Sequence, residues 1–478
     1  MTRPHRTRSV VLVALALLAA TTTGALAAPR PSGVKQDFNG DGWADLAVAA
    51  PSATVAGKKE AGYVAVLYGS ANGITGTGRK VFTQNTAGVP GSAETGDRFG
   101  SALTSADLDR DGYADLVVGV AGEDTVDGPE AGLVEVLWGG PKGLAGGAAL
   151  AGGLAYDRLG APGHLAVGDI GDDGAPDVVT VENQHDLRIL GGPFTRGGTP
   201  TVERAVRDDF DSRILDLATG DVDGDGRTDV VGVENDGDEY DARRVVYWRG
   251  DGTSLAPLTT VRGADGYRLQ GGENLDVGDV DRDGFDDIVV GRAVDGYDSD
   301  LDTPRAKGGR ITLIPGTPDG PDGAAAQHVN QDSPAVPGAA EAGDGFGTDV
   351  QLGDVDDDGF LDVLTGVPGE DLGSRTDAGA VVVLKGTEHG LTGVGSRVIT
   401  QNSTGVPGTA EKGDRFGGAV HLGDTDGDGA PEPAVGAPGE NAGAGSVWSF
   451  SGPRVLTFGH GLLGTNGTNA KLGSGFVD

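Results

Sequence analysis

An acidic nine-residue pattern, D-x-[D/N/G]-x-D-G-x-x-[D/E], occurs seven times along the 478-residue chain. Consecutive copies start between 52 and 75 residues apart. A repeat at this spacing is typical of folds that stack copies of one small unit, because a single unit cannot bury its own apolar face. The seven copies start at Asp37, Asp107, Asp169, Asp221, Asp279, Asp354 and Asp424.

Each copy has the residue types of a calcium-binding loop. Ca²⁺ takes six to eight oxygen ligands, positions 1, 3 and 5 can supply side-chain oxygens, and a glycine at position 6 permits the sharp turn. An EF-hand would also need an acid at position 12, but that position is Val118 in the second copy, within an apolar run that predicts a buried strand. We therefore predict calcium loops inside β-hairpins, with a bidentate acid at position 9. The predicted ligands are Asp37, Asn39, Asp41 and Asp45; Asp107, Asp109, Asp111 and Asp115; Asp169, Asp173 and Asp177; Asp221, Asp223, Asp225 and Asp229; Asp279, Asp281, Asp283 and Asp287; Asp354, Asp356, Asp358 and Asp362; and Asp424, Asp426, Asp428 and Glu432.

The seven loops should not bind Ca²⁺ equally. Asp/Gly-rich turns without metal are a competing interpretation, but 26 acids crowded into these positions favour a cation because like charges repel. The third copy carries Gly171 in place of a carboxylate, so it should be the weakest of up to seven sites. The first copy uses the neutral Asn39, and the last ends in Glu432 between two prolines.

The segments between the acidic loops predict short strands. Valine-rich runs at 61–70, 131–140 and 378–387 follow the loops and end in glycine-containing turns. Four antiparallel strands in each unit of about 65 residues correspond to one propeller blade. The sequence therefore predicts an all-β fold, a seven-bladed β-propeller of four-stranded antiparallel blades.

Two short motifs flank several of the acidic loops. Phe-Gly precedes them at Phe99, Phe346 and Phe416, and Gly-Ala-Pro follows the last one at 436–438. With these motifs the sequence resembles the FG-GAP repeat family, including the N-terminal region of integrin alpha chains, over about residues 34–478. The resemblance implies a seven-bladed propeller with Ca²⁺ in hairpin loops on its lower face and protein or glycan ligands on its upper face. The third and fourth units depart from the pattern, because Phe-Gly is replaced by Leu159-Gly160 in the third and no Gly-Ala-Pro follows.

The two ends of the repeat region predict how the ring closes. The first acidic loop starts at Asp37, which leaves blade one without an inner strand. The C-terminal segment 472–478 aligns with the residues that precede the other acidic loops. We expect this segment to complete blade one, which would close the ring without a disulfide and remove the open sheet edges.

Composition and the N-terminus indicate an exported protein. Residues 1–27 have a basic start, an apolar run and an Ala-Leu-Ala end, the pattern of a cleaved signal peptide, and leave 28–478 as the propeller domain. There is no cysteine, and the net charge of −36 falls to −39 once the three arginines of that segment are removed. Such a charge disfavours nucleic acid and anionic membranes. We expect a secreted, monomeric protein that does not insert into membranes.

Function is predicted from the upper-face connections. The chain has no GxSxG, HExxH or P-loop pattern, so we predict a non-enzymatic module that binds an extracellular protein or glycan and serves adhesion. Long acidic loops at 234–244 and 294–305 break the repeat and contain the candidate ligand-binding residues Asp238, Tyr240, Tyr297 and Asp298. A calcium-dependent lectin and a polysaccharide-acting enzyme remain alternatives. The tripeptide Arg249-Gly250-Asp251 is interpreted as a turn after a strand.

Overall fold

The structure is a computed structural model that describes residues 1, 35–207, 212–235, 243–296, 306–452 and 454–477. The predicted signal peptide, apart from Met1, lies outside the described residues. So do the four candidate ligand-binding residues, Asp238, Tyr240, Tyr297 and Asp298.

The described residues form seven antiparallel sheets, which confirms the predicted propeller. Six sheets have four strands, and the sheet of blade one has three plus the C-terminal segment. The strands of blades one to three are β1 Leu46–Ala50, β2 Tyr63–Leu67 and β3 Lys80–Phe82; β4 Phe99–Ala106, β5 Asp115–Val120, β6 Leu133–Leu137 and β7 Ala148–Gly152; and β8 Leu165–Gly168, β9 Asp177–Glu182, β10 Asp186–Gly191 and β11 Val202–Val206. Those of blades four and five are β12 Arg213–Gly220, β13 Asp229–Asn235, β14 Arg243–Trp248 and β15 Thr259–Thr260; and β16 Asn274–Gly278, β17 Asp287–Arg292, β18 Arg310–Ile314 and β19 Gln327–Val329. Those of blades six and seven are β20 Val350–Gly353, β21 Asp362–Val367, β22 Ala380–Lys385 and β23 Thr392–Ile399; and β24 Ala419–Gly423, β25 Glu432–Ala437, β26 Ser446–Ser449 and β27 Leu456–Gly459.

The burial of each strand follows its place in the blade. The second strand has neighbours on both faces, so β5, β17 and β21 are buried at every position, and each has an apolar stretch directly after its first aspartate. The outermost strand faces solvent, and β11 is exposed or partly exposed throughout. Helix is limited to single turns in the described residues, namely α1 Glu440–Gly443, α2 His460–Leu463 and the 3₁₀ turn Gly323–Ala325. None of these is long or apolar enough to cross a membrane.

The C-terminal segment closes the ring, as predicted. Phe476 forms an antiparallel bridge with Val48 of β1. The amide of Ala49 donates to the carbonyl of Gly475 at 2.9 Å, and the amide of Gly473 donates to Ala49 at 3.2 Å. Phe476 is buried in an apolar cluster that joins blades seven and one. Burial and strand pairing therefore hold the ends of the chain together.

Inner-strand carboxylates tie consecutive blades along the central channel. Asp216 accepts a hydrogen bond from the amide of Leu275 in the next blade at 3.0 Å. Asp276 accepts one from Leu352 at 2.7 Å. Asp349 continues the series with Val420 at 2.8 Å. The channel holds a cavity of about 250 Å³ to which all seven blades contribute.

The acidic loops, numbered one to seven by blade, share one position in the topology. Each immediately precedes the second strand of its blade, and in blades two to seven it connects that strand to the innermost strand, so all seven lie at the same end of the propeller. Neighbouring loops are linked, since Ala114 of loop two donates to the carbonyl of Asp37 and Ala44 of loop one donates to Asp424, both at 3.0 Å. The fold therefore gathers the acids of all seven repeats into one ring of loops.

Candidate metal centres

The first carboxylate and the glycine at position 6 set the shape of every loop. The glycine has φ between 77° and 101° in all seven loops, a conformation that L side chains rarely adopt. Its amide donates to the position-1 aspartate at 2.7–3.2 Å in each case. The sharp turn predicted from the sequence is confirmed.

The acid at position 9 fastens the loop to the sheet. It is the first residue of the second strand in blades two to seven. In six blades one of its oxygens accepts a hydrogen bond at 2.7–3.0 Å from a glycine just beyond the third strand. In five of these six blades its other oxygen accepts a backbone amide of its own loop, as Asp287 does from Val280 at 3.0 Å. The predicted bidentate ligand is thus also a structural acceptor, a role that the sequence analysis did not foresee.

Five of the seven loops bring at least three carboxylates together. In each group one oxygen per residue lies within 4.8 Å of the others, a separation that a single cation can bridge. Position 9 belongs to the group in loops two, five and seven but not in loops four and six. The groups are Asp107, Asp109 and Asp115; Asp221, Asp223 and Asp225; Asp279, Asp281 and Asp287; Asp354, Asp356 and Asp358; and Asp424, Asp426, Asp428 and Glu432.

Loops one and three do not form such a group of acids among the described residues. Loop one has Asn39 at position 3, and loop three has Gly171 there. Both therefore have one carboxylate fewer than the other loops. This agrees with the prediction that loop three is the weakest site, which remains a prediction.

Several buried acids in these loops have raised pKa values. Burial raises the pKa of Asp115 to about 8 and that of Asp287 to about 7, and nearby acids add to the effect. Burial also raises the pKa of Glu432 to about 7. In loop seven, Oδ1 of Asp426 is buried and has no hydrogen-bond partner among the described residues. A hard cation would satisfy this oxygen and stabilise the ionised acids, so the donor set fits Ca²⁺.

Three loops already contain a basic side chain. Arg196 of blade three pairs with Asp109 at 2.6 Å and also with Asp111 in loop two. Arg249 pairs with Asp225 at 3.0 Å and with Asp223 in loop four. In loop six, Lys385 lies 2.7 Å from Asp362 and 2.5 Å from Asp356. These cations occupy part of the space in which a metal would bind.

Loops five and seven differ from these three loops. No lysine or arginine of the described segments forms an ion pair with the acids of either loop. Both loops hold a converging group of carboxylates. They are therefore the strongest candidate metal centres.

The basic residues were missed at the sequence level although two of them carry a signal. Arg249 and Lys385 each stand immediately before the glycine that donates to the position-9 acid, Gly250 and Gly386. A basic residue at that position therefore predicts an internal cation. The tripeptide Arg249-Gly250-Asp251 follows β14 and opens a turn, as predicted, because Gly250 forms a bridge with Leu255 and the amide of Asp251 donates to Ser254. Its arginine has a role inside loop four.

Family models and relatives agree with this architecture. The FG-GAP repeat model matches residues 36–67, 99–137, 346–384 and 416–450, and the FG-GAP-like repeat model matches residues 192–290. Together these segments span about half of the chain, and they contain the three Phe-Gly motifs and every acidic loop except loop three. The protein is an FG-GAP repeat protein, and its propeller resembles that of integrin alpha chains.

Particular relatives match only part of their own length. Integrin alpha pat-2 of Caenorhabditis briggsae is 31% identical over 241 residues, which are 48% of this chain and 18% of that protein. The Caenorhabditis elegans protein of the same name is 29% identical over 240 residues. Phosphatidylinositol-glycan-specific phospholipase D of Rattus norvegicus is 30% identical over 165 residues, 34% of this chain and 18% of the relative. The chain thus spans about a fifth of the length of these relatives.

A solved structure of a neuraminidase-like protein also aligns, at 11% identity. The alignment covers 77% of this chain and 89% of that one, with a TM-score of 0.35. A likeness this low carries no argument about function.

Proposed function

We propose that this protein is an exported, calcium-binding propeller that acts as an extracellular binding or adhesion module. The observation that carries the proposal is the convergence of carboxylates in loops five and seven without an internal cation, on a propeller of the integrin alpha type. The ligand is an extracellular protein or a glycan bound away from the acidic loops. Export is supported by the pattern of residues 1–27.

Calcium has a structural role in this proposal. In loop five, Asp279, Asp281 and Asp287 would hold the ion, which supplies positive charge to acids that are already fixed by backbone amides. Asp287 also accepts the amide of Gly316 beyond the third strand, so the loop and two strands of blade five share one anchor. Ion binding would therefore stabilise the loop and the two strands that share this anchor.

Thermal unfolding with and without calcium tests the metal role. Each independent site at about 100 times its Kd adds roughly 2.7 kcal/mol to the free energy of unfolding. We expect the melting temperature to fall when calcium is replaced by EGTA. An identical melting temperature in both conditions contradicts the calcium proposal.

Binding assays separate the candidate ligands. A glycan array probed in calcium and in EGTA tests the lectin alternative, and adhesion of purified extracellular proteins tests the protein-binding proposal. The match to a phospholipase D relative provides a specific reason to assay cleavage of phosphatidylinositol-glycan substrates as well. Turnover of such a substrate or of a polysaccharide would replace the binding proposal with an enzymatic one.

A further inference from the structure

Glu135 is a carboxylate within an apolar layer. It lies in the middle of β6 in blade two and is 0% exposed. Residues two positions apart on a strand share a face, and Leu133 and Leu137 pack into the apolar cluster between blades one and two. That cluster also contains Phe82 and Val118. Glu135 therefore points into the interface between the first two blades.

The polar groups around Glu135 are short of hydrogen-bond donors. Neither carboxylate oxygen of Glu135 has a hydrogen-bond partner among the described residues, and neither does Oε1 of the buried Gln84. The amide nitrogen of Gln84 donates to Glu123 at 2.7 Å. Burial, followed by the charge of Glu123, raises the pKa of Glu135, while the nearby Gln84 amide lowers it. The two unpartnered oxygens of Glu135 thus lie at the same blade interface as the unpartnered Oε1 of Gln84 and the partly buried Glu123.

The glutamine–glutamate hydrogen bond between blades is repeated at two other interfaces, which have no counterpart of Glu135. Gln331 donates to Glu370 at 2.8 Å between blades five and six, as Gln84 does to Glu123. Gln401 donates to Glu440 at 2.7 Å between blades six and seven. By strand register, the position of Glu135 is occupied there by Val382 and Trp448. The glutamine–glutamate contact therefore forms without a third acid.

We propose that Glu135, Glu123 and Gln84 form a buried site for one hard divalent cation, Ca²⁺ or Mg²⁺, separate from the acidic loops. If Glu135 were protonated, its O–H could donate to only one of the unpartnered oxygens. A cation, in contrast, coordinates several oxygens at once. All the donors are oxygens, which is the ligand set that hard cations prefer. The ion would bind blade one to blade two at the interface next to the closure of the ring.

The number of bound ions tests the proposal. Wild type, Glu135→Val and Glu135→Gln are dialysed against Ca²⁺ alone or Mg²⁺ alone, and metal per chain is measured by mass spectrometry. The valine copies blade six, and the glutamine keeps the shape but removes the charge. We expect both variants to bind one ion fewer than wild type. Glu130→Gln, which alters an exposed carboxylate of the same blade, should bind the wild-type number.

Stability in chelator provides a second readout. Glu135→Val removes a buried charge, so it should melt at or above the wild-type temperature in EDTA and respond less to added cation. An unchanged ion count in both Glu135 variants overturns the proposal. In that case, an infrared band of a protonated carboxyl group that disappears in Glu135→Gln would show that Glu135 carries a proton instead of binding a cation. Because the acidic loops are intact in these variants, this result does not depend on whether those loops bind calcium.

Discussion

Loops five and four share the same nine-residue pattern, but they differ in whether a basic side chain pairs with their acids. In loop five, Asp279, Asp281 and Asp287 converge with no basic partner among the described residues. In loop four, the converging acids include Asp223 and Asp225, and both pair with Arg249. The nine-residue pattern thus brings the carboxylates of a loop together. Whether their negative charge is balanced within the protein depends on a basic side chain from elsewhere in the blade.

In loop six, Lys385 pairs with the acids as Arg249 does in loop four. Its ammonium group reaches the fully buried Asp362 and the half-exposed Asp356. A buried carboxylate needs a partner because desolvation penalises its charge, and a fixed lysine meets that need without any ion from solution. Loops with a basic residue should therefore be stable without calcium, and loops without one should depend on it.

The largest expected effect comes from disabling one loop of each kind. Asp279→Ala with Asp281→Ala should abolish the calcium-dependent stabilisation of loop five, about 2.7 kcal/mol at 100 times Kd. Asp221→Ala with Asp223→Ala in loop four serves as the matched control and should change the calcium-dependent part little. Urea unfolding in calcium and in EGTA measures the difference. Equal losses of calcium response in the two variants would remove the distinction between the loops.

Removing the internal cation should convert loop six into a calcium-dependent loop. Lys385→Met leaves Asp362 buried and unpaired, and should lower the free energy of unfolding in EGTA by about 2 kcal/mol after allowance for solvent around Asp356. Calcium should restore much of this loss. Lys142→Met, at an exposed position, is the control. A loss that calcium does not restore would show that loop six cannot hold the ion.

Loop three can be given the carboxylate that it lacks. A Cβ added to Gly171 would meet Oδ2 of Asp177 at 3.7 Å and Cγ of Asp173 at 3.9 Å, which are ordinary contacts. Gly171→Asp should therefore add a calcium site that contributes about 1 kcal/mol at moderate calcium. Gly171→Asn adds an oxygen without the charge and should contribute less. Titration calorimetry that finds no additional ion in Gly171→Asp would contradict this expectation.

The smallest effect concerns pH in the calcium-free protein. Burial raises the pKa of Asp287 and Glu432 to about 7, so the protonated form stabilises the fold at low pH and that contribution is lost as pH rises toward the folded pKa. In EGTA, the melting temperature should fall by about 1–2 °C between about pH 5 and pH 8 from these groups. Calcium holds the acids ionised, so the slope should flatten when it is present. A slope that is the same with and without calcium would show that these acids do not bind the ion.

Local pattern was sufficient to predict most of the fold. The acidic turn, the position-6 glycine and the apolar run after it predict a hairpin, and seven hairpins predict seven blades. The closing role of 472–478 also followed from alignment, and the bridge between Phe476 and Val48 confirms it. The partners of the acids were not predictable in the same way. Arg196 reaches loop two from the neighbouring blade, across 85 residues from Asp111.

The number of blades, the place of the acidic turns and the closure of the ring are all predictable from the amino-acid sequence, because each depends on a short repeated pattern of turn residues and apolar runs. Which acids are neutralised depends on how the chain packs, since a charge is balanced by whatever lies within a few ångströms, and those groups come from other parts of the chain. Asp362 is a buried acid that pairs with a basic side chain, Lys385. Glu135 is a buried acid whose oxygens have no hydrogen-bond partner among the described residues. Neither outcome is encoded by the acidic pattern, because burial and proximity arise when the blades pack.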